Sequence, residues 1–345
     1  MLGILSSISN IAFTLFGRPV YWYGIIVTTA IVCAYLLYLF LAKKRGIDID
    51  FSLELFIWIV LLAVLCCRLF YVIPRKEYFP KDFGWSDFVR IFDISEGGLT
   101  IIGGIFGGAL GVLFCCLRNK KYSFAKVADC VAIALLLGQI IGRWGNFFNQ
   151  ELFGIEITNP KLQFFPFAVY IDRLGGWYCG LFFYEGFINA IGLITAILLN
   201  LKFKDKIKPM TMTLAYISWY AIVRGSLEFL KYEHKTFGGS NVGVVQVICF
   251  VIAPIAIVLT VLNQMGKISF ETKWFARVIA TNQQRLAEAQ SAQNTEQKGE
   301  DKDEKTADNA HNTDNGVDLS SSEQDNNPTS NSTSIDKDDS QSTTD

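Results

Sequence analysis

The stretch Gly142 to Gly154, GRWGNFFNQELFG, sets Arg143, Asn146, Asn149 and Glu151 close together directly after an apolar run, Val131 to Ile141. An arginine at membrane depth costs about 2.5 to 3.5 kcal/mol on insertion scales, so it marks a functional site by default. The chemistry it offers is anion binding, because a guanidinium is planar, permanently charged and grips phosphate with two donors. Asn146 and Asn149 add amide donors one helical turn apart. Gly142, Gly145 and Gly154 let the backbone approach a ligand closely.

Four further charges stand in apolar stretches: Arg68, Glu185, Arg224 and Glu228. Arg224 and Glu228 are i, i+4 on one helical face and can neutralise each other, so for that pair structural and functional readings are evenly matched. Three arginines near one depth, Arg68, Arg143 and Arg224, exceed what helix packing requires. A phospholipid headgroup is the natural ligand. Tyr23, Tyr184 and Tyr220 place phenols within or at the ends of apolar runs, where an interfacial anchor is the competing reading.

The elements that must position these groups follow from composition. With 51% hydrophobic residues and several apolar runs near the ~20 residues that cross a bilayer, the chain reads as an all-α polytopic membrane protein. About seven spans are expected, at Tyr21 to Ala42, Leu53 to Ile73, Gly98 to Leu117, Lys126 to Ile141, Cys179 to Leu201, Met210 to Leu230 and Val244 to Leu262. The fourth is short for a full crossing and extends into the Gly142 motif. Basic clusters at Lys43-Lys44-Arg45, Arg118 to Lys121 and Lys202 to Lys208 each follow an odd-numbered span. The positive-inside rule makes those loops cytoplasmic, with an outward N-terminus and an inward C-terminus.

The expected organisation is a membrane-surface segment 1–20, a seven-span domain 21–265, a basic juxtamembrane segment 266–280 and a disordered acidic cytoplasmic tail 281–345. The tail holds five Lys/Arg against fifteen Asp/Glu and few large apolar residues. All eight cysteines lie in or beside apolar runs, at spacings that suit neither zinc nor a disulfide framework; packing is their reading. Gly103, Gly107 and Gly111 recur every four residues, a pattern for close helix contact in lipid. The aromatic-rich segment from Arg143 to Tyr178 suits the headgroup layer, as a belt and as a place for lipid access.

Several segments in order resemble one family: WYG at Trp22 to Gly24, Arg68 with Tyr71, GGLTIIGG at Gly97 to Gly104, GRWGNFFNQELFG, FYE at Phe183 to Glu185, and RGSLEF at Arg224 to Phe229. From about Tyr21 to Leu262 the chain resembles the bacterial prolipoprotein diacylglyceryl transferases. The resemblance implies a seven-span inner- or plasma-membrane enzyme with its active site toward the outer side. Its substrates would be phosphatidylglycerol and lipobox-containing preprolipoproteins. The diacylglyceryl group passes to the lipobox cysteine as a thioether, and glycerol phosphate leaves. Membrane lipid is the implied surrounding partner, with no metal, no soluble cofactor and no nucleic acid.

By position, the family's essential residues fall on Tyr23, Arg143, Asn146, Gly154, Tyr220 and Arg224. Arg143, Asn146, Asn149, Gly154 and Arg224 would hold phosphatidylglycerol, and Glu151, Glu228, Arg68, Tyr184 and Glu185 would support them. Glu228 would orient Arg224, and Glu151 would fix Arg143 or its neighbours. Many members carry a histidine in GGLxxHGG where this chain has Ile102, and HPxxLYE where it reads CGLFFYE at Cys179 to Glu185. His234, in the loop after Arg224, is expected to lie too far from the motif helix to serve as the base. Two other classes compete: a transporter, which would show internal repeats or broken helices in matching halves, and a lipid-binding relative without catalysis.

Overall fold

In lipid a chain must satisfy each backbone N–H and C=O internally, so long apolar runs become helices. The structure, a computed structural model, describes residues 9–79, 84–93, 97–203, 205–232, 243–270, 277–285, 287, 288 and 291. The main helices are α1 (Trp22–Lys44), α2 (Ile49–Val72), α3 (Trp85–Phe92), α4 (Ile101–Asn119), α5 (Phe124–Phe148), α6 (Leu181–Lys202), α7 (Thr211–Leu227) and α8 (Val244–Met265). Six of these, α1, α2, α4, α5, α6 and α8, are long and apolar enough to cross a membrane. The expected sixth span is α7, only 17 residues long, continued by a 3-10 turn at Glu228–Leu230. The fourth runs without a break through Arg143 to Phe148.

The glycine repeat is a seam. A Cβ on Gly103 or Gly107 would overlap the Cys66 or Leu62 carbonyl of α2, and one on Gly111 would lie 2.8 Å from the Ile59 Cα. Backbone therefore meets backbone along α2 and α4. The α1 and α5 helices pack through larger side chains, and Leu41, Leu55, Val127, Cys130 and Ile133 form the sealed core between them and α2. Every cysteine is free, and Cys66, Cys115, Cys116, Cys130 and Cys249 are buried.

Far from the motif end, a polar staple joins four helices. Asp129 on α5 is fully buried and accepts from the Thr213 N–H at 2.8 Å and the Thr213 hydroxyl at 2.9 Å. The start of α7 has no side-chain cap of its own, so Asp129 supplies an acceptor for one of its orphan N–H groups. Arg45, just past α1, lies 3.5 Å from Asp129 and donates from Nε to Asn200 of α6 at 3.0 Å. Arg45 is thus a packed partner as well as a topological signal.

The all-α expectation needs one amendment. Two short antiparallel hairpins accompany the helices: β1 (Ile11–Leu15) with β2 (Arg18–Tyr21), and β3 (Ala168–Ile171) with β4 (Gly176–Cys179). Phe16 and Gly17 turn the first with φ of 49° and 77°, the left-handed pair that matches strand twist. Residues 1–8 of the expected surface segment lie outside the described residues, but Ile11, Phe13, Leu15 and Phe16 expose apolar side chains suited to an interface. Cys179 ends β4, so α6 starts at Leu181 rather than at the cysteine. By contact the chain divides into units 1–285 and 286–345; the acidic tail and His234 fall almost entirely outside the described residues.

Candidate active site

The motif is the end of α5, and its local geometry is a Schellman cap. The Glu151 N–H donates to the Asn146 carbonyl at 2.8 Å and the Gln150 N–H to the Phe147 carbonyl at 3.1 Å. Gln150 takes the left-handed conformation, φ 51°, that glycine usually fills there. Its side chain supplies the compensation: the Asp172 N–H donates to its Oε1 at 2.8 Å, and its Nε2 donates to the Asp172 carboxylate. The helix end is thereby tied to the turn after β3. The cap swings Glu151 back over the last helical turn, where it accepts from Asn146 Nδ2 at 3.4 Å.

Arg143 points from α5 to α6. Its Nη2 pairs with Glu185, and its Nη1 donates to Asn146 Oδ1 at 3.4 Å. The second Glu185 oxygen lies 3.6 Å from Arg224 Nη1 on α7, and Arg224 Nη2 lies 3.0 Å from Glu228. Lys231 follows, 3.8 Å from the other Glu228 oxygen. Alternating charge thus runs from α5 through α6 to the end of α7. The three cations and two carboxylates leave one positive charge.

Exposure decides what this layer can do. The Glu185 and Glu228 side chains are 1% and 2% exposed, whereas Arg143 and Arg224 are 20% and 13% exposed. The carboxylates are sealed behind the guanidiniums. An arriving anion meets cations first, already oriented by buried partners. Tyr220, one turn before Arg224, stands within electrostatic reach of Glu185, Arg143 and Arg224 and stacks on Tyr216 at 6.2 Å.

Other expected residues are placed elsewhere. Tyr23 packs its ring on Gly145, where a Cβ would lie 2.8 Å away. Gly145 is roughly 200° around α5 from Arg143, so Tyr23 lies across the helix from the arginine layer. There it lines an open cleft of about 910 Å³ with Asn149, Glu151, Asn10, Thr28 and Thr29. Asn146 and Glu151, hydrogen-bonded to each other, connect the two sides. Tyr184 is half-buried in the first turn of α6, its ring against Phe183 at 5.9 Å.

Arg68 is engaged in a structural role. Its guanidinium donates to the carbonyls of Ile91 at 2.7 Å, Arg90 at 2.9 Å, Gly97 at 3.1 Å and Gly98 at 3.2 Å. The first two are end carbonyls of α3, so the buried arginine caps that helix and holds it to α2. Gly154 is buried rather than open to a ligand. Its N–H donates to the Cys179 carbonyl at 2.8 Å, and a Cβ would lie 2.6 Å from the Leu230 carbonyl. Its small size lets the strand after the motif pass close to the segment that carries Lys231. Ile102 is 71% exposed in the first turn of α4, outside the arginine layer.

The sequence matches the family described as Prolipoprotein diacylglyceryl transferase over residues 10–262. The chain belongs to this family. A phosphatidylglycerol–prolipoprotein diacylglyceryl transferase of Lysinibacillus sphaericus (strain C3-41) is 35% identical over 236 residues, which is 67% of this chain and 83% of that one. The protein of that name from Listeria innocua serovar 6a is 34% identical over 69% of this chain and 84% of its own. The one from Bacillus mycoides (strain KBAB4) is 34% identical over 77% and 97%. Six apolar helices and this membership make the chain a multi-pass bacterial membrane protein, a transferase by family.

By sequence Glu185 reads only as a supporting carboxylate, whereas in the structure it joins both arginines. Gln139, Asn189 and Tyr216 also carry a signal in the sequence: Gln139 stands four before Arg143, Asn189 four after Glu185, and Tyr216 eight before Arg224, each at helical spacing within an apolar run.

Proposed function

We infer that this chain transfers the diacylglyceryl group of phosphatidylglycerol to the lipobox cysteine of a preprolipoprotein. The observation that carries the reading is the pair of partly open guanidiniums, Arg143 and Arg224, held from behind by one sealed carboxylate, Glu185. Two arginines from different helices at one point suit a phosphodiester better than any single anchor. The cysteine sulfur attacks the glyceryl CH₂ next to the phosphate, a C–S bond forms, and the C–O bond breaks. Its electron pair stays on the phosphate oxygen of the leaving glycerol phosphate, and the thiol proton passes to that phosphate or to water.

Arg143 and Arg224 would stabilise the charge that grows on the leaving glycerol phosphate, a term that is often the largest in catalysis. The one positive charge that the layer keeps once Lys231 is counted also favours thiolate over thiol, whose ordinary pKa is near 8.5. Tyr220 would assist on the arginine side, and Tyr23 with Asn149 and Glu151 on the cleft side. Asn146 would keep Arg143 and Glu151 in register. We infer seven spans, with α7 and its 3-10 turn as the sixth, in a domain of residues 21–265 with the motif end outward in the cell membrane. Segments 1–20, 266–280 and 281–345 would then be surface, basic juxtamembrane and cytoplasmic.

The test is direct. Purified protein given phosphatidylglycerol and a lipobox peptide is expected to add one diacylglyceryl mass to the peptide, and none when the peptide cysteine is serine. Absence of the thioether product beside an active family member would overturn the reading.

A further inference from the structure

A second polar layer lies one turn from the arginines and takes no part in the charge chain. Gln139 precedes Arg143 by a turn on α5, Asn189 follows Glu185 by a turn on α6, and Tyr216 precedes Arg224 by two turns on α7. Arg143, Glu185 and Arg224 meet at one level, toward which α5 and α7 run and from which α6 departs. The second layer is therefore on one side of the first, about 6 Å along α6 by helix rise. Asn189 stands near the middle of α6, toward the mid-plane of a spanning helix.

Asn189 is 0% exposed, and its Oδ1 accepts from Trp219 Nε1 at 3.3 Å. An indole N–H can only donate, so this bond fixes the sense of the amide. Nδ2 is left as a buried donor without a partner. Gln139 is similar: its Nε2 lies 2.7 Å from the Tyr216 hydroxyl, while its Oε1 is buried and unpartnered. Because a hydroxyl both donates and accepts, either end of that amide can face the seam. Arg143 Nε is a second buried donor without a partner. Unpaired buried polar groups are destabilising, and each calls for an account.

The lipid supplies the acceptor, given the reading above that its phosphate sits at Arg143 and Arg224. Acyl chains run toward the mid-plane, so the group one turn below the phosphate is the glyceryl diester. Phosphorus and an ester carbonyl carbon are separated by five bonds, a reach of roughly 6 Å on the geometry that gives a three-bond peptide unit 3.3–3.6 Å. Ester carbonyls only accept. We propose that Asn189 Nδ2 donates to an ester carbonyl of the diacylglyceryl group, so that Asn189 positions the transferred group and selects diacyl over dialkyl lipids. The α6 helix faces its neighbours here through Gly186 and Gly192, with the Trp219 ring directly on Gly192. The Trp219 ring fills the groove that Gly192 leaves, and admitting the glyceryl group requires this seam to open.

The experiment compares phosphatidylglycerol with ester-linked and with ether-linked chains of equal length, using reconstituted protein and a lipobox peptide. The wild type is expected to favour the diester by on the order of tenfold in kcat/KM, the scale of one lost hydrogen bond. Asn189→Leu should reduce that ratio to near one by lowering the diester rate. The double change Asn189→Leu, Trp219→Phe leaves no unpaired indole and should do the same. Equal use of both lipids by the wild type, which needs no variant to fold, overturns the proposal. So does a ratio retained in Asn189→Leu, which would mean that the amide serves the helix seam or the headgroup glycerol. Failure of the wild type to transfer from the diester overturns the functional reading itself, and the proposal with it.

Discussion

Replacing Glu185 by glutamine keeps the shape of the side chain and removes the charge that stands between Arg143 and Arg224. Breaking a fully buried ion pair from one side costs about 3–5 kcal/mol. Here the arginines keep 20% and 13% of their surface, and Arg224 keeps Glu228 at 3.0 Å. Solvent and that second carboxylate offset part of the loss, so about 2–3 kcal/mol is expected. At 1.36 kcal/mol per tenfold, transfer should fall by about 30- to 150-fold if the carboxylate's work is to aim the guanidiniums. The layer's positive charge meanwhile rises by one. Affinity for an anionic lipid should hold or improve, so the loss should fall on kcat and not on KM. Initial rates over a range of phosphatidylglycerol in mixed micelles, with melting followed in parallel, would measure both. Glu185→Asp, one methylene shorter, reaches one arginine but not two and should lie between. A Glu185→Gln protein with wild-type kcat would refute the reasoning, and one with raised KM alone would make Glu185 a lipid contact.

Gly107→Val should separate α2 from α4, because its side chain would overlap the Leu62 carbonyl; loss of folded protein by size exclusion is expected, against little change for Gly108→Ala, whose Cβ meets nothing within 4 Å. Arg68→Lys keeps the charge but cannot span four carbonyls, so cleavage by added protease between residues 84 and 98 should rise while transfer falls less than tenfold. A loss as deep as that of Arg143→Lys in a folded protein would return Arg68 to the site. Ile102→His, at a position 71% exposed, should leave the rate within about twofold at neutral pH. A large gain that titrates near the ordinary histidine value of about 6.5 would instead mark position 102 as a base site.

Why some of this was readable from residues and some was not has a physical basis. Apolar runs report helices because lipid permits little else, and their approximate positions carried over, including the continuation of the fourth through Arg143. The Arg224 and Glu228 pairing is local, one turn on one helix, and the 3.0 Å contact lies within that reach. Glu185 could not be promoted in the same way, since its importance depends on where α6 sits relative to α5 and α7. Arg68 and Gly154 were no easier to read: arginine and glycine at membrane depth are unusual by type alone, and that their partners are carbonyls depends on which segments the fold brings beside them. The hairpins were hidden because four- and five-residue strands rich in aromatics resemble an interfacial belt.

The order of exposure within the charge layer carries the functional consequence. Had the carboxylates faced outward, an arriving phosphodiester would have met repulsion. Had the arginines lacked sealed partners, they would have had to find their geometry on binding, at the entropic cost of two long side chains. With Glu185 and Glu228 behind them, Arg143 and Arg224 are oriented beforehand and still carry a net positive charge between them and Lys231. Under the proposed function that surplus would act at both ends of the reaction, on the thiolate that attacks and on the phosphate that leaves. With Ile102 outside the arginine layer, that layer would supply by charge, under the proposed function, what a base would supply by proton transfer. Glu185 is then the residue that allows two like charges to remain close enough to do so.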